Sequence, residues 1–460
     1  MTNTRLVLAG SVAAVSVAAA VVVVTQDRTT TVERITDASP SAPGVAWTVD
    51  ASVSGLDGAR FADPRTGSMY SYSSGSIRID DHLLTFAVVE DFEGPSTEAR
   101  LMSIDTASGA LEWSVPVSDL QSCADEPIHN ELVCITPSYA GDPSLITFDL
   151  ATGESTMHRN TADTFAMTVA DGHVYTTSGN LEDGDVTLHR GTVDDLSADW
   201  TTPLLASAGW EDDYANQLVI DDGTGHFDVG GGFSTFDAET GAQIWASDVL
   251  DDCLVGSYRT LGDVVVGTRL DCDSYDTVGE VAYSRTGDVL VDSTSTVSTM
   301  PTNLTIDEPT DASVPFVLGD TAYDRTTGEK RWTSDRLVVD RPSGDDSEAQ
   351  SYGTLHAVIG DVGVLVGDRS VVGLDLRTGE QLWEAEYFSP IGTDGEVLIA
   401  LRDADLVAVD LHSGEERWTA PLENIREGER LSPESVVRSE DGALVLHSGS
   451  TIAGLVPIPS

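Results

Sequence analysis

One turn recurs along this chain and narrows the folds open to it. It reads Asp, two variable residues, Thr or Ser, Gly, three further residues, then Trp. Full copies are Asp105, Gly109 and Trp113; Asp237, Gly241 and Trp245; Asp324, Gly328 and Trp332; Asp375, Gly379 and Trp383; and Asp410, Gly414 and Trp418. Degenerate copies lie between them. Asp149 and Gly153 keep the turn but lead to Met157, Gly287 leads to Val291, and Trp200 follows a turn at Asp194 that has lost its glycine. From Gly109 to Gly414 the turn recurs about every 44 residues over seven intervals, the period of a propeller repeat.

The physics of one copy is legible. A short apolar or alternating strand enters the turn, as at Leu406-Val-Ala-Val before Asp410. The Asp carboxylate accepts backbone N–H groups at the hairpin entrance, and Gly takes the positive φ that a short hairpin loop requires. The exit strand carries Trp, an apolar plate large enough to be buried between neighbouring sheets. Further short strands precede each copy, at Val362-Gly-Val-Leu-Val and Val397-Leu-Ile-Ala for example. About four antiparallel strands per unit make a propeller blade. Helical periodicity is nearly absent after Val24.

These residues resemble the pyrroloquinoline-quinone (PQQ)-like repeats of quinoprotein propellers. They are also similar to the repeats of the BamB-type outer-membrane assembly lipoproteins, which are non-catalytic propellers. The resemblance covers roughly residues 45–460. It implies an all-β propeller of eight four-stranded blades. Nine is the alternative, because Trp-bearing strands or their equivalents fall at Trp47, Trp113, Met157, Trp200, Trp245, Val291, Trp332, Trp383 and Trp418. The Trp47 strand is expected to pair with the C-terminal strands and close the ring. Quinoprotein dehydrogenases of this family hold PQQ with adjacent cysteines and calcium ligands. This chain has no adjacent cysteine pair, so no PQQ and no catalytic residues are expected.

Residues 6–24 (LVLAGSVAAVSVAAAVVVV) are uncharged and at about 1.5 Å per residue span roughly the 30 Å hydrocarbon layer. Residues 1–25 are therefore expected to form a single transmembrane anchor with the bulk of the chain outside the cytoplasm; a cleaved signal, and so secretion, is the alternative. No cysteine lies near this segment to make a lipid anchor. Residues 26–43, rich in Thr, Ser, Pro and Ala, read as a linker, and 44–460 as the propeller. The exported setting makes disulfides the expected state of the four cysteines, paired within units as Cys123–Cys134 and Cys253–Cys272.

Twenty-four basic residues stand against 77 acidic ones, a net charge of −53, and lysine occurs once, at Lys330. Such a chain repels nucleic-acid phosphates and anionic lipid. A partner is expected to be an extracytoplasmic protein or envelope component with a basic surface, bound less tightly as salt rises. The nine histidines form no metal-ligand motif, and there is no G-x-S-x-G elbow. Asp271, Asp273 and Asp276 have the spacing of a loose calcium loop, within a composition where carboxylates cluster by chance. The expected function is a membrane-anchored, non-catalytic scaffold that binds protein. The alternative is a quinone- or sugar-binding propeller enzyme working through its central channel.

Overall fold

The computed structural model describes residues 32–68, 74–91, 94–118, 120–136, 144–159, 164–180, 185–205, 218–229, 232–247, 258–270, 277–293, 311–337, 354–367, 370–426, 431–438 and 442–458. They form one compact unit that begins at Val32. It is all-β; the helical elements among the described residues are short 3-10 turns such as Ala51–Ser54 and Pro64–Thr66. No helix among them is long and apolar enough to cross a membrane. The expected span, residues 6–24, lies outside the described residues, as do Cys253, Cys272 and the carboxylates Asp271, Asp273 and Asp276.

The strands pair antiparallel with their neighbours in sequence, as the repeat implies. Eight hydrogen-bonded sheets are present among the described residues, most of four strands. The largest consists of two such arrays joined by one parallel bridge, Gly392 to Val436. Each Trp position or its equivalent, Met157 and Val291 included, therefore falls on the last strand of its own array, save that residues 33–34 pair outside the Trp47 strand, nine arrays among the described residues. In chain order these units span residues 60–117, 122–159, 164–205, 218–246, 258–293, 316–333, 354–386 and 389–421. The ninth joins 435–456 to the N-terminal strand Gly44–Asp50. That strand pairs with Thr451–Val456, so the two ends of the chain complete one sheet, as expected.

The segment read as a linker is partly structured. Residues 33–34 add a short strand outside Gly44–Asp50, and Ile35 and Ala42 are buried in the core of the eighth and ninth units. Ser39 N–H donates to the Thr419 carbonyl at 2.8 Å and the Thr419 N–H to Ser39 Oγ at 3.0 Å. Composition concealed this, because two isolated apolar residues among Ser, Thr and Pro carry no periodicity.

The core lies between units. Trp113 packs with Leu120 of the connection and with Leu132, Phe148 and Leu150 of the next unit. Trp383 packs with Leu398, Val407 and Leu411, and Trp47 of the closing unit with Phe61, Leu83 and Met102 of the first.

Candidate functional site

The recurring turn builds the seams. In the turn at Asp237, the carboxylate accepts from the Thr240 N–H at 2.8 Å and the Thr240 hydroxyl at 2.7 Å. The Gly241 N–H closes on the Asp237 carbonyl at 2.8 Å. The same pattern holds at Asp149, Asp324 and Asp410. A carboxylate that accepts several donors favours its charged form. Hydrogen bonds from Thr240 hold Asp237 below the usual carboxylate range. Those from Arg331 and Thr327 do so for Asp324, and those from Arg417 and Ser413 for Asp410.

The Trp of one unit docks on the turn of the next. Indole N–H groups donate to turn carbonyls from Trp47 to Thr106 at 2.8 Å, Trp113 to Leu150 at 2.7 Å and Trp200 to Glu239 at 3.0 Å. Trp332 reaches Leu376 at 2.8 Å and Trp383 reaches Leu411 at 2.7 Å. The ring lies flat under the turn glycine: a Cβ on Gly109 would fall 2.8 Å from Trp47, and one on Gly414 2.5 Å from Trp383. Trp245 lies beneath Gly287 and 4.8 Å from the Tyr283 ring. Trp418 has no such turn to meet, because the third and fourth strands of the ninth unit come from opposite ends of the chain. The N-terminal strap around Ile35 and Ala42 packs in its place.

In units such as the first and the seventh these turns share one end with the hairpins between first and second strands, joined by bonds such as Thr106 N–H to Asp81 O and Leu376 N–H to Asp361 O, both 2.9 Å. Sequence reasoning missed that cations in the turns reach back to acids of the preceding unit. Arg285 reaches Asp221 at 3.1 Å, and Arg377 reaches Asp311 at 3.0 Å and Asp361 of its own unit at 3.3 Å. Arg325, 7% exposed, donates to Asp263 at 2.9 Å and the Leu261 carbonyl at 2.7 Å. His412 lies 3.2 Å from Asp361. The available signal was a cation two or three residues before the turn Gly, set against an acidic hairpin in the unit before.

Cys123 and Cys134 are disulfide-bonded and buried, facing each other across antiparallel strands. The bond ties down the two-residue first strand Ser122–Cys123 of the second unit. Joined to each other across eleven positions, these cysteines do not offer the adjacent pair that a PQQ pocket of this family requires. No group of three metal-ligating side chains occurs among the described residues.

A second cluster, also missed, occupies the junction of the first and ninth units. The first strand of unit one is broken: Arg60–Ala62 and Ile77–Ile79 both pair with the long strand His82–Asp91, and the chain between them makes a polar excursion. Its described ends bridge both neighbours. Arg65 pairs with Asp63 at 3.1 Å and with Asp125 of the second unit at 2.5 Å, and donates to the Ser76 carbonyl at 3.0 Å. Ser74 donates to Glu434 through N–H at 2.9 Å and hydroxyl at 3.0 Å, and Arg60 pairs with Glu434 at 3.3 Å. Ser76 Oγ lies 2.8 Å from Nε2 of the fully buried His447. Burial, with Arg65 nearby, pushes His447 down to about 4 against the opposing pull of Glu434, so the imidazole is neutral at neutral pH.

The family model described as outer membrane protein assembly factor BamB matches residues 317–458. No curated protein sequence matches the chain. Among solved structures, the chain is similar to BamB from Moraxella catarrhalis, with 14% identity, TM-score 0.42, and 83% of this chain and 93% of that one covered. It is similar to a europium-containing methanol dehydrogenase, with 11% identity, TM-score 0.42, and 88% and 85% covered. It is also similar to the WD40 β-propeller domain of Doa1, with 11% identity, TM-score 0.34, and 91% and 97% covered. The family match covers the C-terminal units, residues 317–458, as PQQ-like repeats, and the same turn and docked tryptophan recur along the other described units of this all-β chain.

Proposed function

We propose that this chain is a non-catalytic, extracytoplasmic scaffold, tethered to a cell membrane through residues 6–24, whose acidic turn face binds an envelope protein with a basic surface. The observation that carries this reading is the placement of charge. Arginines 60, 65, 285, 325, 377 and 426 are engaged with acids across seams or connections between units. On the turn face, Asp80, Asp81, Glu154, Asp171, Asp222 and Glu239 stay exposed. With the cations drawn into the seams, the outer potential of that face is negative and steers a cationic surface toward it. The buried disulfide supports an oxidising compartment. In this reading the nine arrays are nine blades, one more than the family resemblance implies, closed by the pairing of Gly44–Asp50 with Thr451–Val456.

The test is affinity capture of the full-length, detergent-solubilised protein at about 0.05 M and about 0.5 M salt, a range over which screening of exposed charges rises steeply. Bound proteins and small molecules are identified by mass spectrometry. A stoichiometric partner with a basic surface, released at the higher salt, is expected. Stoichiometric quinone, or a partner retained equally at both salts, would overturn the reading.

A further inference from the structure

The junction of the first and ninth units has a titratable side chain at its centre. His447, on strand Leu444–Ser448, is 0% exposed. Nε2 faces the Ser76 hydroxyl at 2.8 Å and Nδ1 the Ser435 hydroxyl at 3.4 Å. On the opposite side the closing strand places Ile452 beside it. The charged groups around it come from every packed element. Arg65 and Asp63 come from the excursion, Arg60 from the first strand of unit one, Asp125 from the second unit, and Glu434 from the lead into Ser435–Arg438. Ser76 is the shared point: its carbonyl accepts from Arg65 while its hydroxyl meets the imidazole. Glu434, which pulls against the depression of His447, is already engaged by Arg60 and Ser74.

We propose that this seam is a proton-operated latch: when His447 takes up a proton, Ser74 and Ser76 leave Glu434 and the imidazole and this polar hold between the first and ninth units loosens, while the docked tryptophans, Trp47 among them, stay in place. A neutral imidazole is satisfied by two hydroxyls, each able to donate or accept. An imidazolium there gains no dedicated counter-ion, loses its hydration and sits near a guanidinium. In the closed seam the ring therefore stays neutral down to about pH 4, whereas a ring released to water takes its proton near the ordinary value of about 6.5. The sign follows from that depression. Closure is fully favoured above about pH 6.5, weakens as pH falls from there to about 4, and changes no further below it through this group. Between pH 7 and pH 5 the opening equilibrium of the seam rises by roughly twentyfold.

Hydrogen exchange on the full-length protein in detergent, corrected for the intrinsic pH dependence of exchange, reads this directly. In the wild type, amides in residues 74–79, 431–438 and 442–448 are expected to exchange roughly twentyfold faster at pH 5 than at pH 7, with residues 144–149 of the second unit unchanged. His447→Gln keeps hydrogen-bonding capacity without a titrating group, and its exchange ratio is expected to fall to about one. Ser76→Ala is expected to raise exchange at pH 7 and retain the pH response. Equal wild-type exchange at both pH values overturns the proposal whether or not either variant folds. So does a His447→Gln protein that keeps the full response.

Discussion

Gly414 and Trp383 belong to different units, and neither position tolerates the other's side chain being enlarged or moved. Gly414 has φ +69°, and a Cβ there would fall 2.5 Å from Cγ of a Trp383 that is 6% exposed. Gly414→Ala is expected to lose about 2–4 kcal/mol, combining left-handed strain with overpacking of the ring. Trp383→Ala is expected to lose about 3–5 kcal/mol from the vacated seam. The informative measurement is the double-mutant cycle in urea. Removing the ring relieves the clash but not the backbone strain, so the pair is expected to cost clearly less than the sum of the singles. Strict additivity would show that glycine is needed there for φ alone.

At the scale of elements, the strap before the first long strand does for Trp418 what a turn does for the other docked tryptophans. Ile35 and Ala42 are 3% exposed, and Asn424 Nδ2 donates to the Thr36 carbonyl at 2.9 Å. Ile35→Ala is expected to lower stability by about 2–4 kcal/mol and to increase acrylamide quenching of a signal that Trp418→Phe removes. Unchanged quenching would mean the strap does not cover the ring. These elements also show where the sequence could be read. Asp, Thr or Ser, Gly and Trp were legible because their interactions are local or repeat at a fixed period. Met157, 59% exposed on its outer strand, was recognisable only from that period. The strap and the His447 seam were not legible. Ser76 and His447 are 371 residues apart, and a contact joining opposite ends of a closed ring leaves no spacing to read. The turn cations lay between: each residue was visible, but the unit it reaches was not.

Over the whole molecule, two electrostatic effects oppose each other when salt is added. Exposed pairs between units, such as Arg60–Glu434 with side chains 45% and 35% exposed, contribute about 0–1 kcal/mol each and weaken with screening. The repulsion within a chain of net charge −53 also weakens, and it acts on every exposed carboxylate at once. Repulsion is the larger, so the melting temperature at pH 7 is expected to rise by several degrees from about 0.01 to 0.5 M sodium chloride. A fall would assign the seams' strength to their ion pairs. Acid acts in two separate windows: the buried histidines, His226 and His447 foremost, between about pH 6.5 and 4, and the turn carboxylates below that. Their depressed values give a stabilisation that is complete above the ordinary carboxylate range and lost as pH falls beneath it. The pairing of Gly44–Asp50 with Thr451–Val456 has a consequence in time as well as in energy. A nascent chain emerging at about 5–20 residues per second makes its opening strand wait on the order of tens of seconds for its mate. Throughout that interval it is an unmated β edge, open to adhesion by any other extended peptide.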